Sequence, residues 1–229
     1  MDRVACFRAP RSCPMKCRFL TLTALLSTLV PLCSGARDLA GCSQNFDTVT
    51  APALPEGWRT EEATAGAGWQ TLAANADGDI NAAHLVDHGT QRYQATLLSP
   101  VFTVPASGAV MSFRQRRAYS WANTVGVLEI AIAGHAFTDI ITAGGAFLDG
   151  GYDGRSFASN PLGARRAWLA RPSGYSETRV QLPMAARGKP VQVRFRAGST
   201  GTGDDAPVLI GSNTFIPGFE DQLIGIAAG

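Results

Sequence analysis

A short run of oxygen-bearing side chains is the part of the sequence whose residue types and spacing best suit metal chemistry. Around Gly78, such side chains recur at alternate positions, as Asn75, Asp77, Asp79 and Asn81. Oxygen ligands spaced in this way can wrap a hard cation, and calcium takes about six to eight of them. The bidentate glutamate of an EF-hand is absent, so other loops would have to contribute. The run predicts a calcium site, with an ordinary Asp-Gly turn as the alternative.

The histidines make a weaker case for metal chemistry. His84 and His88 are four residues apart, so on a helix they would share a face and could hold zinc. Leu85 occupies the position of the general base of zinc peptidases, and no third ligand is evident. We therefore interpret both histidines as solvated loop residues. His135 follows Gly134 and is typical of a hairpin tip.

Motifs of hydrolase and nucleotide chemistry are missing from the sequence. It has no Gly-x-Ser-x-Gly elbow, no His-Glu-x-x-His, no phosphate-binding glycine loop and no dinucleotide fingerprint. Cys42 has no visible base, which argues against a catalytic thiol. The sequence therefore predicts a protein without catalytic activity.

Aromatic side chains could form a platform for sugar rings if they were exposed. The candidates include four tryptophans, Trp58, Trp69, Trp121 and Trp168. Core packing is the alternative, because aromatic rings commonly fill the interior of β-sandwiches. Tyr119 and Trp121 fall between two predicted strands, in a predicted loop. We take them, together with Tyr152, as the candidate ligand-binding residues.

The first 36 residues have the pattern of an export signal. Five basic side chains lie within residues 3–18, and an apolar run follows at 19–33. This run is short for a bilayer-spanning helix and suits the core of a signal peptide. Small residues at 34–36 suit a cleavage site, so residues 1–36 are predicted to be a signal peptide, with Met15 as an alternative start. A membrane anchor or a buried helix is the other interpretation.

Removal of this segment would change the charge and the cysteine content. Five of the 20 basic residues and one of the 18 acidic residues would leave, so the net charge would move from +2 to −2. Neither value suits a nucleic-acid binder built on a basic face. Cys42 would be the single remaining cysteine, and the domain would have no intramolecular disulfide.

Cys42 also completes the run Leu39-Ala40-Gly41-Cys42, which matches the cleavage box of bacterial lipoproteins. Arg37 and Asp38 stand between the apolar segment and this box and argue against lipidation, because the box normally follows the apolar segment directly. Two expectations therefore remain open. The product is either secreted or held in the cell envelope through lipidated Cys42.

Short β-strands must position these residues, because helical periodicity is nearly absent after residue 36. Apolar runs of strand type lie between glycine-rich turns, at 109–114, 125–132, 178–182 and 191–196. Many short strands at this spacing predict an all-β fold, a two-sheet antiparallel β-sandwich of jelly-roll type. The segment 142–166 is predicted to be a long loop that folds back onto a sheet through its aromatic residues, Phe147, Tyr152 and Phe157.

Two of these runs also predict side-chain orientation. In the last run apolar and polar residues alternate, so Val191, Val193 and Phe195 are expected to point inward. The run 125–132 is almost wholly apolar and is expected to be buried on both faces apart from Glu129.

Most of residues 45–197 resembles a known class of module. The shared motifs include the opening at 46–58, Gly144-Gly145-Ala146-Phe147, Asn160-Pro161-Leu162 and Arg194-Phe195-Arg196. In combination they resemble the MAM-like or immune-inhibitor-A-associated jelly-roll modules of large secreted bacterial proteins. The resemblance implies adhesion or accessory binding, without catalysis. It also implies that Asp47 and Asp205 are further calcium ligands.

The chain departs from this family at its end. The family closes with a strand whose acids face a structural ion, whereas residues 204–229 follow another pattern. Gly218-Phe219-Glu220-Asp221 is interpreted as a diverged closing strand, and a reading-frame error near residue 204 is the alternative.

The sequence thus predicts a signal peptide at 1–36, a linker at 37–45 and one β-sandwich domain at 46–229. The domain is expected to be a non-catalytic module that binds a carbohydrate or protein ligand outside the cell or in the envelope. No cofactor is assigned, calcium is the one candidate, and no nucleic-acid partner is expected. An accessory or remnant domain of a secreted peptidase or glycosidase is one alternative, and a structural envelope lipoprotein is another.

Overall fold

A computed structural model describes residues 44–62, 66–73, 81–86, 91–117, 124–169, 174–201 and 208–210. Over these ranges the chain is all-β, with fourteen strands and one short 3-10 helix, Met184–Ala186. The strands are β1 Arg59–Glu62, β2 Trp69–Ala73, β3 Asn81–Leu85, β4 Tyr93–Leu98, β5 Phe102–Thr103, β6 Val110–Arg117, β7 Thr124–Ile132, β8 Thr138–Asp139, β9 Ala146–Asp149, β10 Gly154–Arg155, β11 Arg166–Ala167, β12 Ser176–Gln181, β13 Pro190–Ser199 and β14 Val208–Ile210. In this part of the chain, no helix has the length and apolar character needed to span a bilayer.

Two six-stranded antiparallel sheets form the sandwich. The first sheet has the order β1-β4-β13-β7-β8, with β5 also paired to β13. The second has the order β2-β3-β14-β6-β12-β9. A separate two-stranded ribbon is formed by β10 and β11. This architecture confirms the predicted all-β, two-sheet sandwich.

Apolar side chains from the facing sides of the two sheets fill the interior. Val191, Val193 and Phe195 in β13 are all buried, which confirms the prediction from their alternation. From the opposite sheet, Phe113 meets Phe195 edge-on, with ring centroids 5.0 Å apart. Edge-on contacts of this kind stabilise a core beyond the area that they bury.

Strand β7 contains an expectation about burial that the structure overturns. Its apolar residues are buried as predicted, but Glu129 is buried as well, with 3% exposure. The prediction that Glu129 is the exception to burial was wrong because the loop between β10 and β11 reaches this face of the sheet. That loop delivers Arg165 to the Glu129 carboxylate.

The segment 142–166 contains short strands, β9 and β10, in place of one continuous loop. Phe147 and Tyr152 pack edge-on against each other and against Trp168, so this part of the segment folds onto the sandwich as predicted. Phe157 does not pack onto the sandwich as predicted, because its side chain is 55% exposed.

The last described strand, β14, closes the second sheet between β3 and β6. Leu209 pairs with His84 on one side and with Arg116 on the other. His84 therefore belongs to a strand and not to the predicted loop. The predicted closing segment at 218–221 lies outside the described residues, as do residues 1–36 and Cys42.

Candidate functional site

A cleft of about 310 Å³ opens at the β8 edge of the first sheet. Its lining comes from β8 and the turn after it, from the chain before β10 and from the start of β11: Asp139, Ile141, Thr142, Tyr152, Arg165 and Arg166. Ligand pockets span roughly 300–1,000 Å³. The cleft therefore has room for a small molecule or for part of a polymer.

An ion cluster centred on Glu129 lies beside this cleft. Arg165 donates through Nη1 to Glu129 Oε1 at 2.8 Å and through Nη2 to Asp139 Oδ2 at 2.5 Å. From β13, Arg194 Nε and Arg196 Nη1 reach the Glu129 carboxylate at 2.6 and 3.0 Å. Three guanidinium groups thus share two carboxylates, and the cluster carries an excess of positive charge.

The register of the sheet explains why these charges meet. Glu129 lies directly opposite Asp139 of β8 on one side and Arg194 of β13 on the other. Directly opposite residues of an antiparallel pair lie on the same face, and two like charges placed there repel. Arg165 removes this repulsion, because its planar fork donates to both carboxylates at once.

Glu129 remains ionised in spite of its burial. Burial favours the neutral acid, but the hydrogen bond from Arg165 and the charges of Arg196 and Arg194 outweigh it and hold the pKa of Glu129 below its usual 4.5. Burial also opposes the charge of Arg165, whose bonds to Glu129 and Asp139 nevertheless raise its pKa above the usual range. Glu129 and Arg165 therefore form a fixed ion pair.

Tyr152 lines the cleft and is mostly buried, with 8% exposure. Its hydroxyl accepts from the Leu128 N–H at 3.0 Å and can donate to the Leu128 carbonyl at 3.1 Å or to Asp139 Oδ2 at 3.0 Å. The hydroxyl thus accepts from the Leu128 N–H and donates its one proton to one of these two acceptors. Burial and the Asp139 charge raise the pKa of Tyr152 far above its usual range, so the phenol stays protonated. Direct contact of Tyr152 with a ligand remains a prediction.

The remaining aromatic candidates do not reach this cleft. Tyr119 and Trp121 lie outside the described residues. Trp69 and Trp168 are buried in the core, and Trp58 is partly buried against it. These three tryptophans therefore follow the core-packing alternative.

Two of the six predicted calcium ligands are described, and the fold brings them together. The Asn81 N–H donates to Asp47 Oδ1 at 2.8 Å, and the Asn81 amide donates to the carbonyls of Phe46 and Val49 at 3.1 and 3.0 Å. The other four predicted ligands lie outside the described residues: Asn75, Asp77, Asp79 and Asp205. Among the described residues, no group of three or more His, Cys, Asp or Glu side chains could hold a metal ion. Calcium binding remains a prediction.

Three exposed residues in or next to the β10–β11 ribbon were not among the predicted site residues. Arg155 and Arg166 lie opposite each other in the β10–β11 ribbon, and Phe157 follows on the same loop. Neighbouring arginines at 165 and 166, in a segment expected to fold back onto the sheet, were the available signal. Their pairing across a ribbon depends on a turn that the sequence pattern does not reveal.

Comparison of sequences gives only short matches. No family model matches the chain. The trigger factors of Rhodopseudomonas palustris (strain HaA2) and Bradyrhizobium sp. (strain ORS 278) are 48% and 46% identical over 67 and 72 residues. Each match covers 29% of this chain, and the chain spans 14% of the length of these curated relatives. The resemblance to MAM-like modules therefore stays a prediction.

Solved structures share the sandwich arrangement at low sequence identity. One solved structure, of carbohydrate-binding modules from the β-sandwich superfamily, is 14% identical to this chain. Its TM-score is 0.47, over 75% of this chain and 60% of that chain. The K1 adhesin domain of Lys-gingipain from Porphyromonas gingivalis W83 is 17% identical, with a TM-score of 0.43 over 75% of this chain and 97% of that domain. Similarity at this level does not extend to a ligand or to a site.

Proposed function

We propose that this chain is a non-catalytic module that binds a carbohydrate outside the cell, and that the cleft beside β8 is its binding site. The observation that carries the proposal is the arrangement of the cleft, where polar groups are held in place next to an apolar side chain. Arg165, Asp139 and Tyr152 are fixed by hydrogen bonds, and Ile141 is 39% exposed beside them. Fixed donors and acceptors lower the ordering cost of binding a hydroxyl-rich ligand.

The charges of the cleft argue against the glycosidase alternative. Glycoside hydrolysis commonly uses two carboxyl groups, one of which has a raised pKa and donates a proton. Glu129 is buried, and its pKa is lowered. Asp139 is bonded to Arg165 and to Tyr152. Neither carboxyl group is therefore arranged as a proton donor to a ligand.

The lining of the cleft also argues against a peptidase. Covalent peptide hydrolysis needs a nucleophile with a base beside it. Thr142 lines the cleft and carries a hydroxyl, but within the described residues no serine, cysteine or histidine lines it. A binding role is the function that this lining supports.

We infer that Phe157 extends the proposed site, because it lies on the same loop as Arg165. It is 55% exposed and follows Ser156, whose N–H donates to the carbonyl of the cleft residue Arg165 at 2.9 Å. An exposed aromatic ring can pack against the C–H face of a sugar, because it provides a rigid apolar surface. The cleft and this ring together suit a ligand of more than one sugar unit.

Filling the cleft tests this proposal. Thr142 is exposed and lines the cleft, so Thr142→Trp should block it without disturbing the core. We expect the wild-type chain to bind glycans on a glycan array. The affinity of Thr142→Trp for the same glycans should be lower by about tenfold or more. Met184→Trp is the control, because it adds the same ring at a residue that is 75% exposed and lies outside the cleft lining. Absence of any retained glycan, or equal binding by Thr142→Trp, would refute the proposal.

A further inference from the structure

We propose that the rim of this cleft selects an acidic polysaccharide through Arg155 and Arg166. The inference rests on the proposed function and specifies its ligand class. The group recognised is an oxyanion with two oxygens aligned for a guanidinium fork, as in the carboxylate of a uronic acid or in a sulfate ester.

The ribbon sets the two arginines side by side. Arg155 of β10 and Arg166 of β11 are direct partners in the antiparallel register. Direct partners project from the same face, with Cβ atoms about 4.5–5.5 Å apart. Both side chains are exposed, and Arg166 also lines the cleft. Two guanidinium groups therefore stand together at the mouth of the proposed site.

Among the described residues, the neighbouring acids do not neutralise this pair. Asp153, which precedes β10, pairs with the buried Arg117 at 3.0 Å. Asp139, which lines the cleft, pairs with Arg165 at 2.5 Å. In the described part of the chain, neither rim arginine makes a side-chain hydrogen bond or ion pair. Like charges directly opposite each other repel, and a bound anion would relieve that repulsion.

The ribbon holds the two rim arginines in place. The ion cluster around Glu129, which contains the neighbouring Arg165, adds to the positive field. Ala167, next to Arg166, is fully buried, so the ribbon is anchored to the core at this point. At the other strand, Ser156 N–H donates to the Arg165 carbonyl at 2.9 Å. The excess positive charge around Glu129 attracts the same kind of ligand, because fixed charges of one sign raise the local concentration of counter-ions.

Binding to soluble polysaccharides tests the inference. The full chain would be titrated with polygalacturonate, dextran sulfate, neutral dextran and neutral galactan at low and at physiological salt. We expect at least one acidic polymer to bind tenfold or more tightly than the neutral polymers, and this difference to shrink as salt screens the charges. Polygalacturonate carries carboxylates and dextran sulfate carries sulfate esters, so comparison of the two shows which group is recognised.

Substitution of the rim arginines tests whether they cause the preference for acidic polymers. The double variant Arg155→Gln with Arg166→Gln should lose the preference for the acidic polymer and should bind acidic and neutral polymers with similar affinity. Arg179→Gln is the matched control, since Arg179 is an exposed arginine on β12 of the other sheet. It should bind every polymer as the wild type does.

Several results would overturn the inference. A double variant that keeps the preference, or an Arg179→Gln variant that loses it equally, would show that the rim pair is not responsible. Single-stranded DNA bound as tightly as the acidic polysaccharide would show general attraction to polyanions. Binding of neutral glycans without preference for acidic ones would refute the inference and leave the proposed function standing. Failure to bind any polysaccharide would refute both.

Discussion

Glu129 shows how a single buried charge can stabilise or destabilise a sheet, depending on its partners. A buried carboxylate costs free energy unless opposite charges and hydrogen bonds compensate for the lost water. Arg165, Arg194 and Arg196 provide that compensation. Removal of one partner of a buried pair costs roughly 3–5 kcal/mol, because the other charge is left unpaired.

The free energy of unfolding should therefore vary with pH in the acid range, because Glu129 becomes protonated there. A carboxyl group whose pKa is lower in the folded than in the unfolded chain stabilises the fold above the unfolded value, and this contribution is lost as the pH falls through the folded value. Because the pKa of Glu129 is lowered from 4.5, we expect stability to decline as the pH falls below about 4.5. Glu129→Gln should be less stable at pH 7 and should decline less steeply over the acid range.

Urea denaturation at a series of pH values between about 7 and 3 measures both effects. Glu61→Gln is the control, because Glu61 is 53% exposed and pairs with Arg59 at 3.6 Å on the surface. Its stability should follow that of the wild type closely, since exposed ion pairs contribute little. Equal pH slopes for the wild type and for Glu129→Gln would contradict the role of this carboxylate.

At the scale of elements, the position of the loop between β10 and β11 depends on its close approach to β13. The Asn160 amide donates to the Gly198 carbonyl at 2.8 Å, and Asn160 Oδ1 accepts from the Leu162 N–H at 2.9 Å. A Cβ atom at Gly198 would lie 2.8 Å from both Asn160 Oδ1 and Leu162 Cγ. Glycine is needed here because a side chain would push the loop away from the sheet.

Gly198→Ala should therefore weaken both the fold and the cleft. Overpacking of this kind costs about 1–3 kcal/mol, which denaturant titration would measure. The same variant should reduce glycan binding, because the displaced loop carries Arg165. Gly174→Ala is the control, since a Cβ there would meet nothing within 4 Å. If both variants lost the same stability, the close approach at Gly198 would not be the cause.

At the scale of the whole molecule, the chain before β1 is tied to β3 through a few hydrogen bonds. Asp47 and Asn81 are 34 residues apart in sequence and are joined by the bond between Asp47 Oδ1 and the Asn81 N–H. A calcium ion at this junction would link distant segments and would stabilise the folded chain as a whole. Ligands that bind only the folded state raise its stability with concentration, by about 2.7 kcal/mol at one hundred times the Kd.

The melting temperature should accordingly rise with added Ca²⁺ and fall with chelator. Asp47→Asn should abolish the shift, because it removes a charged oxygen ligand. Asp149→Asn serves as the control, since Asp149 is an exposed residue at the end of β9 and accepts from the Gly150 N–H. A melting temperature that does not respond to Ca²⁺ would exclude the predicted calcium site.

The sequence by itself was sufficient for the fold class and for the inward residues of its regular strands. Val191, Val193 and Phe195 could be assigned to the core because strand alternation is a local property with a period of two residues. The hairpin tip at Gly134 was also predictable, and this glycine adopts a left-handed φ of 77°.

The candidate site was decided only by the tertiary structure. Glu129 meets Arg165 from 36 positions away and Arg194 from 65 positions away, and no local pattern encodes such a pairing. The arginines at 155 and 166 became a pair only when the ribbon fixed their register. Burial of a charge depends on which distant segment covers it, whereas strand periodicity depends only on neighbours along the chain. For this reason the sequence alone determined the sandwich, and the tertiary structure determined the cleft.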